Sequence, residues 1–261
     1  MGLFSRIFGK RSGESKVVYA SQDELMEEAY RNAQENFKYF WRELSWEYHR
    51  IVPALDFAMV KHPFQQIIDG QQEPVVEHMW IDQVMFDGET IKGELVNDPN
   101  QLTNVKQGDS VSITISEISD WMISLQGQTL GGFTIQAMRK GMSSKERRQH
   151  DEAWGLDFGD PDEVLVVQQQ KEHPEYLIEH PMSRNMADQL REFLQQHPGE
   201  IAELDQDGLT QLHKEAIAGN KVGVEVLLEL GADKNALSNT GKTAGQYAEN
   251  MNWDHLKEVL K

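Results

Sequence analysis

At 261 residues, with 39% hydrophobic and 26% charged side chains, the chain can bury the core of one large or two modest globular domains, and its composition excludes a disordered polymer. The formal net charge is −18; residues 1–16 carry +3, so the remaining body holds −21 and repels nucleic-acid phosphates. There is no cysteine, which excludes disulfides and thiolate chemistry and leaves zinc only His and carboxylate ligands.

Residues 1–20 read as a basic tail in which Phe4, Ile7 and Phe8 stand beside Arg6, Lys10 and Arg11. That pattern suits a loose terminus; a short membrane-surface helix is the lesser alternative, and the myristoylation pattern fails at Arg6. From Ser21 to Leu44 the apolar residues Leu25, Ala29, Ala33, Phe37, Phe40, Trp41 and Leu44 recur at three- and four-residue steps, predicting a long amphipathic helix with Ser21 or Asp23 as its cap.

After Pro53 the chain turns β-rich. The runs LDFAMVKHPF, PVVEHMWIDQVMF, TIKGELV, SVSITISEI and DWMISLQG are separated by Asp69-Gly70, Asp87-Gly88, Asn97-Asp98-Pro99-Asn100 and Gly108-Asp109, all strong turn formers. Val111, Ile113 and Ile115 alternate with polar residues, so that strand has one buried and one wet face. Gly131-Gly132 ends the sheet, MSSKERRQHDEAW predicts a helix opened by a Ser143/Glu146 capping box, WGLDFGDPDE reads as an acidic loop, and EVLVVQQQ as one more strand. Pro174 and Pro181 mark a boundary.

Behind that boundary Gly208-Leu209-Thr210-Gln211-Leu212-His213, Gly219, Val226-Leu227-Leu228 and Gly231-Ala232-Asp233 resemble the ankyrin repeat, and a shift of 33 residues carries Gly208 onto Gly241, Thr210 onto Thr243 and Val226-Leu227 onto Val259-Leu260. Gly208 permits the tight entry, Thr210 caps a first helix, and Leu212, Ala216, Leu227 and Leu228 fill the space between helix pairs. Three positions depart from the family: Gln211 stands where it favours Pro, Glu215 where it favours Ala, and Asn252 where the first repeat has Gly219. The second repeat therefore reads as a terminal cap. Residues from about 30 to about 170, through FAMVKHPF, VEHMWID, QGDSVSITISEISDWM and GGFTIQAM, resemble a bacterial family known as domain of unknown function 2314, which occurs together with ankyrin repeats; the resemblance implies a helix plus curved sheet of unassigned activity.

The expected architecture is α+β: an N-terminal helix packed on a curved antiparallel sheet or small barrel over 21–180, followed by an all-α ankyrin-like region over 183–261. That region divides into a degenerate unit 183–204, a repeat 205–237 and a capping repeat 238–261. No site motif accompanies it. His49, His62, His78, His150, His173 and His180 form neither a His-Glu-x-x-His helix nor any other metal pattern, Asp157, Asp160, Asp162 and Glu163 lack calcium-loop spacing, and there is no Gly-x-Ser-x-Gly elbow or phosphate-binding Gly loop. The expectation is therefore a non-enzyme without metal or cofactor.

The function this suggests is protein–protein interaction through the ankyrin-like loops, with Gln206, Asp207, Leu209, Asn239, Thr240 and Lys242 exposed to a partner protein. The negative body favours a basic partner, and neutralising a toxin or enzyme is one form of such a role. Nucleic acid is excluded as a partner, and the absence of a membrane-spanning or signal-like run points to the cytoplasm. The alternative is an enzyme or small-ligand site in the front domain around His78, Trp80, Asp120 and Trp121, although Trp121 as core and Asp120 as a turn cap is the favoured reading of that pair.

Overall fold

The computed structural model describes residues 19–70 and 72–261. Helix α1 (Tyr19–Glu47) opens the described chain. Its stripe of Ala29, Ala33, Phe37, Phe40, Trp41 and Leu44 is buried, whereas Leu25 is not, so the apolar face begins one turn later than expected. The small residues let the helix lie close to the sheet: the Trp121 indole donates to the Ala33 carbonyl at 2.9 Å. Beyond the helix, Glu47 accepts the backbone N–H of Ala54 at 2.9 Å and ties the turn leading into the sheet. Phe4, Ile7 and Phe8, and the side chains of Ser21 and Asp23, lie outside the described residues.

Six antiparallel strands follow: β1 (Leu55–Gln66), β2 (Val75–Phe86), β3 (Thr90–Leu95), β4 (Ser110–Thr114), β5 (Asp120–Leu125) and β6 (Gln128–Gly131). Their order is β4-β3-β2-β1-β5-β6, an open sheet and not a barrel. Val60 pairs with Ile81 across the two longest strands, and the register shifts between Asp82 and Met85, where Gln83 has φ +50°. Strand β5 is buried on both faces, with α1 over one. The opposite face carries a smaller apolar cluster of Met59, Trp80, Met122, Ile135 and Phe158.

Helices α2 (Phe133–Lys140) and α3 (Ser144–Trp154) follow the Gly131-Gly132 break, and α3 starts on the expected capping box, the Glu146 N–H reaching Ser143 Oγ at 3.4 Å and the Ser143 N–H reaching Glu146 Oε2 at 2.8 Å. The run Glu163–Gln170 does not form the expected strand. Val166 and Val167 are both buried, Gln170 turns back to accept the Val166 N–H at 3.0 Å, and Gln169 has φ +56°; successive burial and a left-handed residue are incompatible with the alternation of a strand.

The C-terminal part is helical: α4 (Pro181–Asn185), α5 (Ala187–Gln196), α6 (Gln211–Ala218), α7 (Lys221–Glu229) and α8 (Ala244–Asn250), then a short 3₁₀ turn Asp254–Leu256. Thr210 and Thr243 cap α6 and α8 from equivalent places, each accepting from the residue three further on.

One continuous core runs from Ala29 on α1 to Leu256, so the helical part is not set apart from the sheet. Two seams join them. Along α1, Arg42 donates to the carbonyls of Leu177 (3.4 Å) and Ile178 (3.3 Å), Glu43 meets His180 at 2.9 Å, and the Trp46 indole donates to Asn220 at 3.2 Å. At the β2–β3 hairpin, Gly88 (φ +94°) lies so close to Tyr247 that a Cβ there would stand 2.6 Å from its ring. Only glycine both turns that hairpin and lets it dock. Glu89 pairs with Lys242 and Lys92 with Asp207 (3.7 Å) beside it.

Candidate functional site

Between the two seams the surface opens into a groove of about 880 Å³. One wall comes from the end of α1 and from β2, with Trp41, Trp46, Tyr48 and Met85; the other comes from α4 and α5, with Met186, Leu190 and Phe193. Leu209 and Ile217 line it as well. Tyr48, Met85 and Phe193 remain 49, 52 and 48% exposed, an apolar surface left open on both sides of one concavity.

At one end the lining becomes polar. Glu215 of α6 is buried, its carboxylate accepting Gln211 Nε2 at 2.9 Å and Asn220 Nδ2 at 2.9 Å. Gly223 on α7 makes room for it, since a Cβ there would fall 2.6 Å from Glu215 Oε2. The Trp46 ring joins Asn220 to the other side by stacking on His180 at 5.7 Å, and His180 opens the turn that carries Ser183. Ser183 also lines the groove; it is 4% exposed, and its hydroxyl has no hydrogen-bond partner among the described residues.

The electrostatics differ along the groove. Burial pushes the Glu215 carboxyl above its ordinary value of 4.5; Asn220, Gln211 and His49, just past the end of α1, oppose that rise, and Glu179 adds to it. For Glu43, burial would also raise the carboxyl, but the His180 hydrogen bond and Arg50 outweigh burial and hold it low. A carboxyl raised on folding favours the folded chain most below its unfolded value, and that contribution is lost as pH rises through the raised one. Glu215→Gln is therefore expected to raise the Tm at neutral pH, by about 1 kcal/mol or roughly 2–4 °C. The gain should disappear on acidification below 4.5, which differential scanning calorimetry across pH will check.

Of the residues expected to meet a partner, Gln206, Asp207 and Leu209 line this groove. Leu209 is not an exposed loop residue as expected: it is 4% exposed and belongs to the core. Asp207 is half-buried beside Lys92, and Lys242 is taken up by Glu89. Asn239 and Thr240 are exposed, Asn239 Nδ2 donating to the Gln206 carbonyl at 3.2 Å and Thr240 Oγ1 lying 3.0 Å from the Tyr247 hydroxyl.

The four residues expected in a front-domain pocket do not line the groove. Trp80 lies in the smaller apolar cluster with the Lys61 ammonium 4.5 Å over its ring, whereas Trp121 is fully buried in the main core. His78 is exposed, bonded to Ser119 Oγ at 2.9 Å and stacked on Tyr30. Asp120 is fully buried and serves α2 from β5: it accepts the N–H of Phe133 and of Thr134, each at 2.9 Å. Burial pushes its carboxyl up against the opposing pull of Lys61 and Thr134, and burial likewise lowers Lys61.

Sequence reading missed Trp46, Tyr48, Met85, Ser183, Met186 and Phe193 as groove residues. The available signal lay in Gln211 and Glu215, whose departure from the repeat pattern places a bonded polar pair at the polar end. Among the described residues no group of three or more His, Asp and Glu is gathered to hold a metal, and no helix is long and apolar enough to cross a membrane.

The chain belongs to the bacterial family described as "Uncharacterized protein conserved in bacteria (DUF2314)", whose model it matches over residues 23–158, the helix and open sheet. The chain is 50% identical over 250 residues to a protein of Neisseria meningitidis serogroup B (strain ATCC BAA-335 / MC58) named an ankyrin repeat protein, NMB1133/NMB1171, covering 95% of this chain and 98% of that one. It is also 36% identical over 62 residues to YegJ of Escherichia coli K12, covering 24% of this chain and 40% of that protein. No solved structure matches the chain.

Proposed function

We propose that the protein is a non-catalytic interaction module that grips a segment of another protein in the groove, its C-terminal helix pairs acting as ankyrin-like repeats. The reading is carried by Tyr48, Met85 and Phe193, three large apolar side chains left about half exposed on facing walls of one concavity. A monomer gains nothing from such a surface unless something covers it. The name of the Neisseria relative and the matching caps at Thr210 and Thr243 support the repeat assignment. The contact surface is the groove and not the loop tips, because Asp207 and Lys242 already have partners within the chain. A cytoplasmic regulator, such as a neutraliser of a toxin or enzyme, is the role this form suits.

Site-specific photo-crosslinking tests it. A crosslinker at Met85 and one at Phe193, on opposite walls, are expected to trap the same protein in cells, while one at Val76, exposed outside the groove, does not. Adducts formed from Asn239 or Thr240 but from neither wall would return recognition to the loops.

A further inference from the structure

We propose that the polar end of the groove is a pocket for a basic side chain, so that the partner is an amphipathic segment presenting one Lys or Arg between apolar residues. This rests on the groove being the docking surface. Three observations lead to it. The Ser183 hydroxyl is buried and unpartnered, whereas the other buried polar side-chain atoms among the described residues are, with one exception, satisfied; an ammonium or guanidinium donor would pair it. Glu215 receives one donor on each oxygen and retains lone pairs for a third. Finally, the surrounding charges select the sign. Asp87, Asp205, Asp207 and Glu215 line the groove, and its two lysines are already held, Lys92 by Asp87 (3.4 Å) and Asp207, and Lys214 by Asp205 (2.9 Å). An acidic ligand group would find no free lysine there and would face four carboxyl groups against two ammonium groups.

A guanidinium or ammonium entering this end would donate to Ser183 Oγ and to Glu215, with its stem along Trp46 and its apolar neighbours against Tyr48 and Met85 on one wall and Met186 and Phe193 on the other. Gln211 and Glu215, the two positions at which α6 departs from the repeat pattern, thereby acquire a role: they set the chemistry of the pocket without altering the helix.

The test uses the full chain and fluorescent synthetic helical peptides of about three turns, with one apolar stripe and a central residue that is Arg, Lys, Gln or Glu. Fluorescence anisotropy is expected to show Arg- and Lys-centred peptides binding roughly tenfold more tightly than the Gln-centred one, with the Glu-centred peptide weakest. Glu215→Gln should erase that preference while leaving the apolar contribution. Ser183→Ala, which breaks no bond in the free protein, should weaken the Arg-centred peptide while leaving the unfolding midpoint unchanged or higher, a combination that a purely structural serine does not give. Equal binding of Arg- and Gln-centred peptides, or a preference that survives both substitutions, overturns the basic pocket but spares the docking groove. If no peptide binds whatever its centre, the docking reading fails and the pocket with it. Should Glu215→Gln misfold, the Ser183→Ala arm decides alone.

Discussion

Arg42→Ala is expected to lower the unfolding free energy by about 3–5 kcal/mol and to release the helical part from α1 ahead of the sheet. Arg42 is 1% exposed in the middle of α1. Its guanidinium donates to the carbonyls of Tyr176, Leu177 and Ile178, the segment that leads into α4, and lies 5.2 Å over Tyr39 and 5.1 Å over the buried Trp253. Burial lowers its pKa to about 10, so the group stays charged at neutral pH and must be paired. Truncation leaves three inward carbonyls without donors, empties a large volume and removes the cation from two aromatic faces. Arg42→Lys keeps the charge but loses the planar fork, so it should recover only part of the loss. Denaturant unfolding gives the energy. Hydrogen exchange gives the order: amides of α6 to α8 should lose protection before those of β1 and β2. A loss below about 1 kcal/mol would mean that water reaches these carbonyls and that the seam is held elsewhere.

That seam explains why the groove could not be read from sequence alone. Local features were legible because their causes are local. The 3.6-residue spacing of Ala29 to Leu44 gave α1, Asp87-Gly88 gave the hairpin, and Ser143/Glu146, Thr210 and Thr243 gave three helix starts. The run Glu163–Gln170 misled because two adjacent buried valines read like a strand until the Gln170 side chain is seen to turn the backbone. The groove was illegible for a different reason. Its walls come from residues near 45, 85, 190 and 215, and only the docking of Gly88 against Tyr247 and of Arg42 beneath the Tyr176–Ile178 segment brings them together. Asp207 and Lys242 carry the charges expected of exposed loop residues. Nothing in their spacing shows that Lys92 and Glu89, more than a hundred positions earlier, have already claimed them.

Asp120→Ala is expected to destabilise by a similar about 3–5 kcal/mol, and the way in which that loss can be relieved separates a structural carboxylate from a ligand-binding one. The N-cap position of helix α2 is Gly132, which has φ +69° and no side chain to cap it, so the helix's first N–H groups depend on a carboxylate delivered by β5. Asp120 takes the Phe133 and Thr134 N–H groups, the Thr134 hydroxyl and its neighbour Trp121's N–H, with the Lys61 ammonium 3.9 Å away. Alanine leaves these N–H donors unpaired and Lys61 buried without its counter-charge. Adding Lys61→Met should therefore restore part of the stability, because an apolar chain over Trp80 costs less than a lone buried ammonium. Chemical denaturation of the two single variants and the double variant measures that coupling. If Asp120→Ala instead left stability unchanged, its oxygens would be free of the helix, and the front-domain ligand site would regain the residue it most needs.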